Sequence, residues 1–140
     1  MSRIFWDTNL YIYLFQGSSR SSQRVAEIRD AMNQRGDQLL TSALTMGEVL
    51  AGPARGKRSD LSRQYEKAIV QTSVLIPFDL EAARMFAAIR TDRAIKPPDA
   101  IQLACASVAK SDMFITNDDR LCRKNIPGIQ FIVPLERAFL

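Results

Sequence analysis

Five short apolar segments alternate with longer stretches that carry helical spacing, and this alternation constrains the fold more than any other feature. The segments lie at residues 3–6, 39–41, 73–76, 113–116 and 130–133. None shows the in–out alternation of polar and apolar residues that is typical of a sheet with one face in water. Apolar strands separated by helices indicate a mostly parallel sheet that is covered on both faces. We therefore expect an α/β protein with three α/β/α layers and about five central strands.

The stretches between these strands contain helix signals. Val25, Ile28 and Met32 recur on one face of a predicted helix. Asp79 is a predicted helix N-cap. The two prolines at 97–98 predict the first turn of another helix, because proline is tolerated there. The body of that helix is apolar on nearly all sides and is expected to be buried.

Two polar stretches predict loops. Residues 16–22 are mostly small and polar. Gly52 and Pro53 are expected to end the third helix, because proline lacks the backbone donor that a helix interior uses. Residues 53–59 then form a predicted basic loop.

The length of 140 residues predicts a single domain that covers residues 1–140. The longest unbroken apolar run, at residues 10–15, is far shorter than the ~20 residues of a membrane-spanning helix. The first residues carry no signal-peptide pattern. We therefore expect a cytoplasmic protein that does not bind membranes.

The absence of histidine narrows the possible chemistry. It excludes histidine-based triads and every histidine-ligated metal site. The two cysteines, Cys105 and Cys122, are too few for a four-thiolate site. A metal site must then be built from oxygen ligands, which favours Mg²⁺ or Mn²⁺. The net charge of +4 is only a mild bias towards polyanions.

Four acidic residues lie where the predicted topology can bring them together. Asp7 follows the first strand and Asp118 follows the fourth, so both face one crevice if these strands are neighbours. Glu48 and Asp99 lie on helices that can face the same crevice. Four carboxylates in one place repel each other unless a cation neutralises them. Such a site suits hydrolysis of a phosphodiester by a metal-activated water.

Each acid also has a purely structural interpretation. Asp7 is a possible N-cap, and Glu48 completes a possible capping box with Thr45. Asp99 is a favourable charge at a helix N-terminus, and Asp118 is a possible turn residue.

The segments that contain these acids resemble a known family. They are 4–9 (IFWDTN), 45–49 (TMGEV), 98–104 (PDAIQLA) and 115–118 (ITND). In order and spacing they resemble the PIN-domain ribonucleases, and among these the VapC toxins of toxin–antitoxin pairs. The segment 98–104 is the most specific of the four.

The resemblance implies a role for each matching residue. It assigns the catalytic and metal-binding roles to four residues, which we call the acidic quartet: Asp7, Glu48, Asp99 and Asp118. It assigns supporting polar roles to Thr8, Asn9, Thr116 and Asn117. It leaves open whether Asp119 shares the role of Asp118. Many relatives carry histidine at the position of Gln102. The glutamine is expected to cost nothing catalytically, and an effect on substrate contacts stays open.

The resemblance further implies an endoribonuclease that uses Mg²⁺ or Mn²⁺, assembles as a homodimer and is silenced by a cognate antitoxin. The alternative is a non-catalytic PIN-like module that binds RNA or serves as a scaffold. A phosphatase of the haloacid-dehalogenase type is disfavoured, because Asn9 stands where its mechanism needs an aspartate. A flavodoxin-like domain is disfavoured because no glycine-rich loop follows the first strand.

Basic residues form two candidate RNA-contacting groups. The first lies after the third helix and the second follows Asp118: Arg55, Lys57, Arg58 and Arg63, then Arg120, Arg123 and Lys124.

Overall fold

Five parallel strands form a single sheet in the computed structural model, which describes residues 1–138. Their order across the sheet is β3-β2-β1-β4-β5, and every neighbouring pair is parallel. The strands are β1 (Arg3–Trp6), β2 (Gln38–Ser42), β3 (Val74–Ile76), β4 (Ser111–Thr116) and β5 (Ile129–Pro134). The predicted sheet is confirmed.

Six α-helices connect the strands within the described residues. They are α1 (Thr8–Gln16), α2 (Arg20–Arg35), α3 (Ala43–Arg55), α4 (Ser59–Thr72), α5 (Leu80–Ile89) and α6 (Pro97–Val108). Short 3₁₀ turns follow β4 and β5, at Leu121–Arg123 and Leu135–Arg137. None of the helices in residues 1–138 has the length and apolar character needed to cross a membrane.

Two hydrophobic cores lie on opposite faces of the sheet. Ile4 and Trp6 pack with α1 and α2 on one face, whereas Phe5 packs with α5 and α6 on the other. The ring of Phe5 stacks on that of Phe114, with 5.2 Å between centroids. Successive side chains of a strand point to opposite faces, so a strand that is apolar at every position needs both cores. The three predicted layers are confirmed.

Several predicted helix boundaries are confirmed. Asp79 caps α5 by accepting a hydrogen bond from the backbone N–H of Ala82 at 3.0 Å. Gly36 ends α2 with a φ of 72°, a left-handed conformation that glycine adopts without a steric cost. The helix that begins at Pro97 buries most of its body, as expected.

The predicted end of the third helix is wrong. α3 continues through Pro53, which is buried, to Arg55. The Pro53 carbonyl accepts a hydrogen bond from the Arg58 N–H at 2.9 Å, so the chain around the proline remains tightly turned. The predicted basic loop at 53–59 therefore shrinks to residues 56–58. The predicted loop at 16–22 is also too long, because Ser19 caps α2, which begins at Arg20.

The centre of the sheet places the two acid-bearing strand ends side by side. β1 pairs with β4, and Trp6 is in register with Ile115. The order of the strands in the sheet reverses at this point, since β2 lies on one side of β1 and β4 on the other. Such a switch point opens a crevice at the carboxyl ends of the strands.

Candidate functional site

Asp7 lies at the floor of this crevice and joins β1 to β4. Its backbone N–H donates to the Ile115 carbonyl at 3.0 Å. One carboxylate oxygen accepts from the Thr8 N–H at 2.9 Å, and the other accepts from the Thr116 hydroxyl at 2.9 Å. Asp7 is also the N-cap of α1. The capping interpretation is therefore correct, and Asp7 also lines the crevice.

The electrostatic surroundings of Asp7 disfavour its ionised form. Burial raises the pKa of Asp7 to about 6, and the neighbouring carboxylates of Asp99 and Glu48 add to the increase. The hydrogen bonds from Thr116 and Thr8 lower this pKa and offset part of the effect. Asp7 is thus held in a fixed orientation among groups of its own charge.

Glu48 approaches the crevice from the second turn of α3. Its Oε1 atom accepts a hydrogen bond from the Thr8 hydroxyl at 2.6 Å. Its capping-box interpretation is wrong, because the N-cap of α3 is Ser42. Thr45 is already inside the helix, and its backbone N–H donates to the Ser42 hydroxyl.

Asp99 lies in the first turn of α6 and is partly buried. Burial raises the pKa of Asp99, and the Asp118 carboxylate raises it further. Arg120 and Lys96 act in the opposite direction on this pKa. The position also agrees with the simpler interpretation of a favourable charge at a helix N-terminus.

Asp118 is held by hydrogen bonds from Arg120, two residues later in the chain. Its carboxylate accepts from the backbone N–H of Arg120 at 2.9 Å and from the Arg120 guanidinium at 3.1 and 3.2 Å. These hydrogen bonds lower the pKa of Asp118. The turn interpretation is therefore also correct for Asp118. Of the adjacent acids Asp118 and Asp119, Asp118 is the one whose carboxylate raises the pKa of Asp99.

The structure brings the acidic quartet into one electrostatic group. The carboxylates of Asp99 and Glu48 raise the pKa of Asp7, and those of Glu48 and Asp118 raise the pKa of Asp99. Within residues 1–138, however, no three acidic or cysteine side chains already have the mutual placement to hold one metal ion. The quartet is a crevice of repelling carboxylates rather than a closed cage.

This donor set fits Mg²⁺ or Mn²⁺. The side chains offer hard oxygen atoms, and a buried carboxylate with neighbours of the same sign is relieved by a cation. Mg²⁺ usually keeps several waters and takes only one or two carboxylates directly, so it does not require a closed protein cage. Asp7 and Asp99, the two partly buried acids with a raised pKa, are the best placed to hold it.

The supporting polar residues divide into two groups. Thr8 and Thr116 are buried and donate to carboxylates of the quartet. Asn117 is exposed and donates its amide N–H to the Tyr13 hydroxyl at 2.7 Å, away from the acids. Asn9 is exposed on the first turn of α1.

Gln102 is a buried residue and does not line the surface of the crevice. Its side chain is only 2% exposed and lies beneath the crevice among hydroxyl groups. A polar residue surrounded in sequence by Ile101, Leu103 and Ala104 is a signal that could have indicated a buried hydrogen-bonding role.

The second basic group lies beside the quartet. Arg120, Arg123 and Lys124 line a cavity of about 250 Å³ together with Asp99 and Asp118. Lys124 is paired with Asp92 at 2.7 Å. The first basic group is exposed on α3, α4 and the turn between them, where Arg58 pairs with Asp60.

Comparisons with known proteins place this arrangement in context. A family model described as PIN domain matches residues 4–127. A structure of VapBC2 from Rickettsia felis, bound to a DNA fragment from their promoter, is similar with a TM-score of 0.76 and 14% identity. The match covers 94% of this chain and 98% of that chain.

Two further solved structures are similar. A toxin–antitoxin complex from Klebsiella pneumoniae matches with a TM-score of 0.68 and 25% identity, over 90% of this chain and 94% of that chain. DNA-bound VapBC from Salmonella typhimurium matches with a TM-score of 0.72 and 19% identity, over 96% and 99% respectively. No curated protein matches the chain at a significant level.

Proposed function

Because this chain belongs to the PIN domain family, we propose that it is a metal-dependent endoribonuclease and the toxin of a VapBC-type toxin–antitoxin pair. The reaction would be hydrolysis of RNA phosphodiester bonds. The observation that carries the proposal is the coupling of Asp7 to Asp99 and Glu48 at the switch point between β1 and β4. A folding role alone does not require three carboxylates to destabilise one another in this way.

Each member of the quartet has its own part in the proposed reaction. A bound Mg²⁺ or Mn²⁺ would supply Lewis-acid chemistry, polarising a phosphoryl oxygen and lowering the pKa of a water. Asp7 and Asp99 would hold the ion, with Asp7 oriented by Thr8 and Thr116. Glu48 and Asp118 would complete the site directly or through waters.

Arg120 and Arg123 would position the RNA backbone. Both are exposed and line the cavity that also holds Asp99 and Asp118. Guanidinium groups match the geometry of phosphate oxygens, and contacts to phosphate position a backbone without reading its bases. The RNA would therefore enter with a phosphate at the acidic crevice and its backbone along this basic edge.

The proposed partner is a cognate antitoxin. The three similar structures are VapBC or toxin–antitoxin complexes, and the one from Klebsiella pneumoniae is 25% identical over most of both chains. We also propose that the chain forms a homodimer, as expected from the family resemblance.

The experiment that tests the function is RNA cleavage by protein freed of antitoxin. Structured RNAs are incubated with the protein in Mg²⁺, in Mn²⁺ and in chelator. Cleavage in either metal and none in chelator is expected, and Asp7→Asn and Asp99→Asn should both be inactive. Equal cleavage with and without chelator would contradict the mechanism. Metal-independent RNA binding with no cleavage across a broad RNA panel would favour the non-catalytic module instead.

A further inference from the structure

A buried network of hydrogen bonds connects α6 with α1 and α3 directly beneath the quartet. The amide nitrogen of Gln102 donates to the Thr8 hydroxyl at 2.9 Å and to the Thr45 hydroxyl at 2.8 Å. The amide oxygen of Gln102 accepts from the Ser42 hydroxyl at 2.5 Å. Gln102 thus uses both of its N–H groups and its oxygen, which satisfies a polar side chain that is 2% exposed.

The cap residue of α3 also contacts the Gln102 amide. The Ser42 oxygen receives the backbone N–H of Thr45 at 3.4 Å, as the N-cap of that helix. Its own proton points at the Gln102 oxygen, which is the amide atom that faces Ser42. The NH₂ group consequently faces Thr8 and Thr45.

This orientation of the amide agrees with the direction in which the Thr8 hydroxyl donates. The Thr8 oxygen has one proton and lies 2.6 Å from the Glu48 carboxylate and 3.1 Å from the Thr45 hydroxyl. A carboxylate accepts but does not donate, so the Thr8 proton points at Glu48. Gln102 supplies an incoming N–H to the same oxygen, which keeps the proton on the side of Glu48. With the amide reversed, Thr8 would donate to Gln102 and Glu48 would lose its partner.

Gln102 and Asp99 also share one helix face. They are three residues apart on α6, a spacing that places side chains beside each other. The helix that presents Asp99 to the crevice therefore also sets the hydrogen bond that holds Glu48.

We propose that Gln102 is a positioning residue, which orients the Glu48 carboxylate through the Thr8 hydroxyl. The proposal rests on the metal-dependent function proposed above. Removal of a residue that orients a metal-binding side chain typically weakens metal binding by 10–100-fold. We expect a weakening of about tenfold here, because Glu48 is one of several ligands.

The test measures Mn²⁺ binding by calorimetry in Gln102→Met, which keeps the length of the side chain and removes its hydrogen bonds. Ser111→Ala is the matched control, because Ser111 is equally buried and donates one hydrogen bond, to the Ala106 carbonyl at 2.8 Å. Ser111 begins β4, at the opposite end of the strand from the crevice. Whatever stability the control loses, it should bind Mn²⁺ as the parent does.

A double-mutant comparison separates positioning from general destabilisation. Thr8→Val removes the hydroxyl through which Gln102 acts, so Gln102→Met should weaken Mn²⁺ binding little further in that background. Thr8→Ser keeps the hydroxyl and should keep the full effect of Gln102→Met. Gln102→Glu serves as a second variant, because its carboxylate accepts the Thr8 proton and should weaken Mn²⁺ binding at least as much.

A metal-free measurement accompanies these titrations. In the parent protein, ¹³C relaxation of the Glu48 side chain should show an ordered carboxylate, and in Gln102→Met or Gln102→Glu a more mobile one. A parent that binds no Mn²⁺ would overturn the metal-dependent function. A parent that binds Mn²⁺, with unchanged affinity and Glu48 order in the Gln102 variants, would overturn only the role of Gln102.

Discussion

The Thr116 hydroxyl at the end of β4 donates to the Asp7 carboxylate at the end of β1, across 2.9 Å. The same threonine oxygen accepts the backbone N–H of Asp118 at 3.1 Å. One buried side chain thus fixes the orientation of two acids that come from different strands. This contact determines how Asp7 and Asp118 are presented to the crevice.

Replacing Thr116 should change Asp7 through its pKa. The Thr116 hydrogen bond lowers the pKa of Asp7, so Thr116→Val should move this pKa above its present value of about 6. Protons compete with metal for a carboxylate, so Mn²⁺ binding should weaken more at pH 6 than at pH 8. Calorimetric titration at both pH values measures the difference. Thr91→Val, at an exposed threonine just after α5, is the control. Equal losses at the two pH values would contradict this prediction.

Asp7→Asn should stabilise the metal-free protein near neutral pH. The pKa of Asp7 is raised from 3.8 to about 6 by folding, so the folded state holds this proton more tightly than the unfolded chain. The contribution of Asp7 to stability is therefore favourable below about pH 4 and is lost as the pH rises through 6. The variant should gain roughly 1–3 kcal/mol at pH 7 and show a flatter pH profile between 4 and 6.

Denaturant unfolding of parent and Asp7→Asn across this pH range measures that gain. Asp79→Asn is a suitable control, because Asp79 caps α5 away from the quartet. Destabilisation of Asp7→Asn at every pH would show that the carboxylate is needed for folding, and would contradict the repulsion inferred here.

Arg120→Gln should release Asp118 from its ion pair. The guanidinium now lowers the pKa of Asp118 and occupies both of its carboxylate oxygens. Exposed ion pairs are weak, so we expect Mn²⁺ affinity to rise by only about two- to threefold. The KM for RNA should rise at the same time, since a phosphate contact is lost. Arg84→Gln, at an exposed position on α5, should change neither quantity, and a loss of metal affinity in Arg120→Gln would contradict this assignment.

The chain should be a dimer in solution. α1 presents Ile12, Leu14 and Phe15 as only partly buried apolar side chains, although its Leu10 and Tyr11 are fully buried. Apolar surface beyond what the core uses favours association. Light scattering at tens of micromolar should give twice the mass of one chain, and a monomer mass would contradict the prediction.

The strand ends of the acidic site were predictable because they depend on local signals and one topological rule. Asp7 and Asp118 each follow an apolar strand, and neighbouring parallel strands bring such positions to one edge of the sheet. Glu48 and Asp99 depended more on the family resemblance, since a helix face is known only once the helix is packed. Asp7 is also a helix cap and Asp118 is also a turn residue, because a residue in either role can face a crevice.

Features that depend on packing were not predictable from local sequence. Pro53 is expected to end a helix by its missing N–H, yet α3 continues past it with the ring buried. Gln102 has its partners on α1, β2 and α3, between 57 and 94 residues away in the chain. The Arg120 ion pair with Asp118 depends on a turn whose side-chain directions the sequence does not specify.

The acidic quartet should behave as a metal site and not as four separate helix caps and turns. The most direct test is the melting temperature of the parent and of Asp99→Asn, titrated with Mn²⁺ at constant ionic strength. A ligand that binds the folded state raises stability by RT ln(1 + [L]/Kd), so the melting temperature of the parent should climb steadily with Mn²⁺. Asp99→Asn should start at or above the parent and respond much less to the metal. A parent whose melting is indifferent to Mn²⁺, together with a destabilised Asp99→Asn, would contradict the account.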